Sequence, residues 1–218
     1  MSGDAGGNPQ PVSPQRLTDL LASLVADRDP GHPLRVAIDG ADAADPGALA
    51  DSLTDPLRLR GRAPIRVSTR YFWRPASVRL EYGHEDADAY YTDWLDAAAL
   101  RRELLDRLGP GGDRRYLPTL WDPATDRATR AGYAQAPANA VLLLDGPLLL
   151  GQGLPLDLTV HMRLSTPALR RRTDPRQQWT IPALDRYERE VGPQQLADVV
   201  VRADDPRHPA VQSRLPLD

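Results

Sequence analysis

The sequence predicts an α/β protein in which a parallel sheet carries helices on both faces. Two observations predict it. Short apolar runs at residues 34–38, 65–69, 141–145, 158–164 and 197–201 have the length and content of largely buried strands. Stretches with helical spacing of their apolar residues, at 97–108, 168–172 and 182–191, fall between them. Strands that alternate with helices pair in parallel, because each crossover helix returns the chain to the same end of the sheet.

Residues 1–12 are rich in Gly, Pro, Asn and Gln and are expected to be a disordered tail before one domain spanning 13–218. Ser13 then offers a hydroxyl to cap a helix and Pro14 fits its first position, with Leu17, Leu20, Leu21, Leu24 and Val25 on one face. The strand at 34–38 leads through Asp39 and Gly40 into an Ala- and Asp-rich turn and a second helix. There Asp45-Pro46 has the chemistry of an N-cap and first helical position, its carboxylate accepting free N–H groups at the positive end of the helix dipole. After the strand at 65–69, Tyr71, Trp73, Tyr82, Tyr90, Tyr91 and Trp94 crowd one stretch together with Arg74, Arg79 and His84, although the chain has a single Phe. Rings with polar tips commonly line small-molecule pockets. The alternative is a solvated loop with a few packed rings. Asp96 heads the helix at 97–108, as a cap, a ligand-binding group or both. Residues 109–138 are rich in Gly, Pro, Asp and Arg and are expected to form a long ordered loop or a small hairpin insertion. Asp145 ends an apolar strand, where it can cap the next turn or face a ligand.

A formal charge of -3 over 218 residues leaves no global basic field, so nucleic acid and anionic membranes are not expected partners. An anion would need a local cluster such as Arg170, Arg171 and Arg172, although cations also favour helix C-termini for structural reasons. The absence of cysteine excludes disulfides and thiolate metal sites, and the four dispersed histidines lack metal-ligand spacing, so no metal is expected. No apolar run is long enough to span a membrane and the start lacks a basic-then-apolar leader pattern, so a cytoplasmic location is expected. Every basic side chain is an arginine, which with abundant Ala, Pro and Asp matches a GC-rich, actinobacterial type of genome.

The missing lysine matters most in the turn after the first parallel strand. The run Val36-Ala37-Ile38-Asp39-Gly40-Ala41-Asp42-Ala43-Ala44-Asp45-Pro46-Gly47 has the strand, turn and helix context of the phosphate-binding motif G-x-x-x-x-G-K-[ST], without its chemistry. Counting from Gly40, Asp45 stands at the second glycine, Pro46 at the lysine and Gly47 at the hydroxyl residue. Pro46 has no N–H to offer a phosphate oxygen, and Asp42 and Asp45 add negative charge where a polyphosphate would sit.

Further segments follow in a telling order. They are Phe72-Trp73-Arg74-Pro75 with Val78-Arg79 and Gly83, then Tyr91-x-Asp93-x-x-Asp96 leading into Leu100-Arg101-Arg102-Glu103-Leu104-Leu105. Next come Leu108-Gly109-Pro110-Gly111-Gly112-Asp113-Arg114-Arg115-Tyr116, Val141-Leu142-Leu143-Leu144-Asp145-Gly146 and Ala197-Asp198-Val199-Val200-Val201. Together with residues 36–40, this set resembles the uridine kinase-like family of P-loop kinases, from Arg35 to about Pro209. The resemblance implies a P-loop-kinase-like sheet, Asp145 as a residue supporting magnesium and water, Asp96 as a ribose ligand, and Trp121-Asp122 in the place of a Tyr-Asp pair beside the base. It also exposes departures. The family's carboxylate at the end of the second strand, positioned to take the acceptor hydroxyl's proton, is replaced by Arg70-Tyr71, and the lid's Arg-Asp pair by Thr173-Asp174.

Phosphoryl transfer rests on positioning and electrostatic stabilisation, and the groups that supply both are altered. The expectation is therefore a pseudokinase that binds a nucleoside, nucleotide or other small polar or anionic ligand, or a protein partner, with neither ATP nor Mg²⁺ as cofactor. Its expected ligand residues are Trp73, Arg74, Arg79, Tyr82, Asp96, Tyr116, Trp121, Asp122 and Arg172, beside the phosphate-loop remnant Gly40, Asp45, Pro46 and Gly47. One alternative is other chemistry in a remodelled pocket, with Arg70 and Tyr71 as electrostatic or acid groups and Asp145 or Asp96 as the carboxylate. Another is an ATP-dependent nucleoside kinase in which arginine replaces the lysine. If a pocket survives, Arg70, Tyr71, Trp73, Arg79, Asp96 and Tyr116 are expected to converge on one cleft at the carboxyl ends of the strands. The sequence leaves the oligomeric state undetermined.

Overall fold

A computed structural model describes residues 8–217. β1 (Gln10–Pro11) and α1 (Pro14–Ala26) precede the first core strand, β2 (Leu34–Gly40), which is followed by α2 (Pro46–Ser52) and α3 (Thr54–Leu59). β3 (Ala63–Ser68) ends in a 3-10 turn, Thr69–Phe72, and then come α4 (Ala76–Arg79) and α5 (Ala87–Thr92). α6 (Ala97–Leu100) passes through a π-helical stretch, Arg101–Leu105, into α7 (Asp106–Leu108). β4 (Arg115–Tyr116), β5 (Trp121–Asp122), β6 (Arg127–Ala128) and β7 (Ala134–Gln135) form two nested hairpins, β5 with β6 inside β4 with β7. This is the hairpin insertion expected between residues 109 and 138. The chain closes with β8 (Ala140–Gly146), β9 (Leu158–Arg163), α8 (Thr166–Arg172), a 3-10 turn at Pro175–Thr180, α9 (Ile181–Glu190), α10 (Pro193–Leu196), β10 (Val199–Arg202) and β11 (Ala210–Ser213).

The main sheet has the order β1-β11-β10-β9-β2-β8-β3. Five of its strands, β10, β9, β2, β8 and the edge strand β3, are parallel, as the alternation of strands and helices requires. At one edge β11 and β1 run antiparallel, a feature with no counterpart in the sequence pattern. Gln10 and Pro11 pair with Val211 and Ala210, and the Val12 N–H donates to Pro209 O at 2.9 Å. The disorder expected of residues 1–12 therefore does not hold at 10–12, while residues 1–7 lie outside the described residues. Composition gave no signal there because the pairing is supplied by the exposed edge of β11, and an edge strand tolerates a proline.

Period-2 alternation divides the core. Val36 and Ile38 of β2 and Val141 and Leu143 of β8 face one side, where α1 packs through Leu17, Leu20, Leu21, Leu24 and Val25. Ala37, Leu142 and Leu144 face the other, against Phe72, Leu100, Leu104, Leu105 and Leu108. Ser13 caps α1 as expected, its Oγ accepting the Arg16 N–H at 3.1 Å. Arg35 is buried within β2 because Asp157 takes its guanidinium from two sides, Nε at 2.9 Å and Nη2 at 2.8 Å. Among the described residues no helix is long and apolar enough to cross a membrane. All five parallel strands point their carboxyl ends the same way, and the loops there form the rim of a cleft.

Candidate functional site

The cleft has a volume of about 450 Å³ and lies over the ends of β2, β8 and β3. Its charged lining comprises Asp42, Asp45, Asp145, Arg66 and Arg70, three carboxylates against two guanidiniums. The loop from Gly40 to Gly47 forms one wall. After a 3-10 turn at Asp42–Ala44, Asp45 adopts a left-handed backbone (φ 59, ψ 56), a region that Asp tolerates better than most residues. Its Oδ1 accepts the Ala48 N–H at 3.1 Å, and Pro46 takes the first position of α2. The N-cap expected of Asp45-Pro46 is thus formed, and the start of this helix is served by the chain's own carboxylate.

Asp145, at the end of β8, is almost fully buried and is held by Arg66 of β3. Arg66 Nη1 donates to Asp145 Oδ1 at 2.8 Å and to Leu143 O at 3.0 Å, its Nη2 to Gly47 O at 3.2 Å, and its Nε to Asp51 Oδ1 at 2.7 Å. One guanidinium therefore ties two strands to α2. A side chain at position 47 would set its Cβ 3.7 Å from Asp145 Oδ2, so position 47 does face this carboxylate. The cation that meets Asp145 here is Arg66. Sequence reasoning missed this residue, although the signal existed: a single arginine inside a run read as a buried strand.

Arg70 and Tyr71 lie in the turn after β3. Arg70 is exposed on the cleft wall, and no carboxylate lies within 4.0 Å of it among the described residues. Opposite, Asp42 has its carboxyl raised above the ordinary value, first by desolvation, with Asp145 and Asp45 adding and Arg70 opposing. Trp73 also lines the cleft and begins an aromatic stack: Trp73 to Trp94 at 5.0 Å, Trp94 to Tyr90 at 5.0 Å and Tyr90 to Trp179 at 5.5 Å meet edge to face, and Trp94 to Trp179 at 5.5 Å is tilted. The stack joins α5 to the turn before α9, so Tyr90 and Trp94 of the aromatic crowd serve as packing surface.

The remaining expected site residues do not join the cleft. Arg79 is buried, its guanidinium carbon 5.5 Å from the Trp73 ring centre and 4.8 Å from that of Trp94, with its Nε donating to Arg74 O at 2.6 Å. Arg74 itself lies 3.9 Å from Asp93, and Tyr82 is 70% exposed. Asp96 caps α6, accepting the Ala99 N–H at 2.9 Å. Tyr116 packs half-buried against the Leu100–Leu108 side of the core, and its hydroxyl's pKa is raised by that burial. Trp121 and Asp122 belong to the inner hairpin: Trp121 Nε1 donates to Asp126, and Asp122 accepts from Ala124 N and Thr125 Oγ1. Arg172 donates to Ala203 O. The expected convergence is therefore corrected: Arg70, Tyr71 and Trp73 share the cleft with Asp145, while Arg79, Asp96 and Tyr116 are held elsewhere by caps and packing.

A second cavity of about 370 Å³ lies on the other side of the Gly40 turn. Beside it is a buried cluster that sequence reasoning also missed. His161 of β9 stands in register with Asp39 of β2, its Nδ1 2.6 Å from Asp39 Oδ2 and its Nε2 3.2 Å from Glu188 Oε1. Asp39 Oδ1 accepts the Leu149 N–H at 2.9 Å, and the Tyr187 hydroxyl donates to Asp39 Oδ2 at 3.1 Å. Burial pulls the imidazole pKa down, but the hydrogen bonds and charges of Asp39 and Glu188 outweigh it and push the pKa up to about 9. At neutral pH His161 is thereby favoured as a cation with both nitrogens engaged, a state with no lone pair for a base. No histidine spacing announced the cluster, because parallel pairing brings residues 39 and 161 together.

No protein-family profile matches the chain, and no curated protein matches it by sequence. Solved structures do match it in fold. A protein described as a possible uridine kinase from Bacillus stearothermophilus superposes with a TM-score of 0.68 at 20% identity, covering 85% of this chain and 97% of that one. A candidate fructose transport system kinase from Silicibacter sp. TM1040 gives 0.56 at 21% identity, covering 85% and 95%. A D-glycerate 3-kinase from Cryptococcus neoformans gives 0.50 at 15% identity, covering 84% and 83%. The chain has the fold of uridine kinase-like and related P-loop kinases.

Proposed function

We propose that this chain uses a kinase fold for ligand binding without phosphoryl transfer, and that its cleft takes a small hydroxylated ligand with at most one negative charge. The observation that carries the reading is the capped start of α2. Where the motif would aim backbone N–H groups at a phosphate, Asp45 accepts the Ala48 N–H and Pro46 supplies none. A polyphosphate would also meet a lining with more carboxylates than guanidiniums. Arg70 supports a single anionic contact, Ser68 and Gln177 can hydrogen-bond hydroxyls, and Trp73 offers a ring face.

The neighbours' descriptions supply the first ligands to test: uridine, fructose and D-glycerate, of which only glycerate carries a charge. D-Glycerate is expected to raise the melting temperature, and Arg70→Ala to abolish that shift. Titration calorimetry with ATP–Mg²⁺ is expected to show no saturable heat at millimolar nucleotide. A micromolar dissociation constant for ATP–Mg²⁺, or steady phosphorylation of any of the three, would overturn the reading.

A further inference from the structure

The resemblance to P-loop kinases implies a divalent cation near Asp145 and position 47, and the residues there do not fit one. Asp145 Oδ1 is taken by Arg66, Gly47 has no side-chain ligand, and no group of three acidic or histidine residues among the described residues is placed to hold a metal ion. We propose that Arg66 is a built-in replacement for that cation, so that the cleft works without a divalent metal.

The argument rests on what surrounds the guanidinium. Four oxygens converge on it, from Asp145, Asp51, Gly47 and Leu143, each within 3.2 Å of a guanidinium nitrogen. Two are carboxylate and two are carbonyl, which is a donor set that also suits a hard divalent cation. A fixed positive charge inside that set neutralises Asp145, joins α2 to β3 and β8, and repels a metal ion approaching the free Asp145 Oδ2. An arginine can do this permanently, since its guanidinium keeps its proton in a protein. No exchangeable cofactor is then needed to hold this end of the cleft together.

This inference deepens the proposed function but is tested without any nucleotide or substrate, so the two can fail separately. Mn²⁺ binding is measured by electron paramagnetic resonance and calorimetry on the full chain. The wild type should take up no Mn²⁺ in the millimolar range. Arg66→Ala, which empties the space between the four oxygens, should gain one Mn²⁺ site, and adding Asp145→Asn should remove it. If Arg66→Ala does not fold, Arg66→Gln keeps the stem and a donor while removing the charge, and should gain a weaker site. Submillimolar Mn²⁺ binding by the wild type that Asp145→Asn abolishes would overturn the proposal, as would a folded Arg66 variant that gains no site.

Discussion

At the scale of single residues, Asp45 shows how one side chain can satisfy a helix start and abandon a phosphate at the same time. Its carboxylate does the work of a cap, but its backbone sits in the left-handed region, where a Cβ is costly. Asp45→Ala should lose the cap and keep the strained backbone, a destabilisation of about 1–2 kcal/mol. Asp45→Gly removes the cap but relieves the backbone, and should change stability by less than about 0.5 kcal/mol. Urea unfolding of the two variants checks this, and equal losses would show that the cap alone matters. The Asp45-Pro46 cap was legible in the sequence because capping is local. The role of Arg66 was not, because its partners Asp51 and Asp145 are 15 and 79 residues away along the chain.

At the scale of elements, α9 is fastened to the sheet by charge as well as by apolar packing. Glu188 and Tyr187 reach His161 and Asp39 of two neighbouring strands, and the Tyr187 oxygen also accepts the Leu150 N–H at 2.9 Å. The groups facing this knot are Asp39, Glu188 and Tyr187, with Arg163 nearby. The His161 pKa rises from an ordinary 6.5 to about 9, so the stabilisation it gives is fully present below pH 6.5 and is lost as pH climbs through about 9. Its full size is on the order of 3 kcal/mol. Unfolding free energies measured across this window should fall with pH in the wild type. His161→Gln, which can donate to Asp39 at any pH, should lose most of that slope, and an unchanged slope would assign the pH dependence to other groups. The aromatic stretch teaches a related lesson. Crowding of Tyr and Trp between residues 71 and 94 suggested a pocket wall or a few packed rings, and two of them, Tyr90 and Trp94, stack with Trp179 to join α5 to the turn before α9.

At the scale of the whole molecule, the phosphate loop, β3 with its Arg66 and the Arg70-Tyr71 turn, and Asp145 lie on one cleft but come from three separate parts of the chain. Repairing one leaves the others. The triple substitution Asp45→Gly, Pro46→Lys and Gly47→Thr restores the motif's residue types, and its new Cβ at 47 makes only ordinary contact with Asp145. It should still fail to phosphorylate uridine, fructose or D-glycerate, because Arg66 holds Asp145 and no carboxylate at position 70 or 71 can orient an acceptor hydroxyl. Robust turnover by the triple variant in a coupled nucleotide assay would show both features to be dispensable. By itself the sequence determined the parallel α/β architecture, the α1 face and its Ser13 cap, the presence of an insertion at 109–138 and the capped turn at Asp45-Pro46. These depend on periodicity, composition and local hydrogen bonds, which act over a few residues. Only the tertiary structure decided that Arg66 rather than Arg70 meets Asp145, that Asp39 and His161 pair across adjacent strands, and that Arg79, Asp96 and Tyr116 stay out of the cleft. Strand order, register and the packing of distant elements set those partners, and no local pattern encodes them.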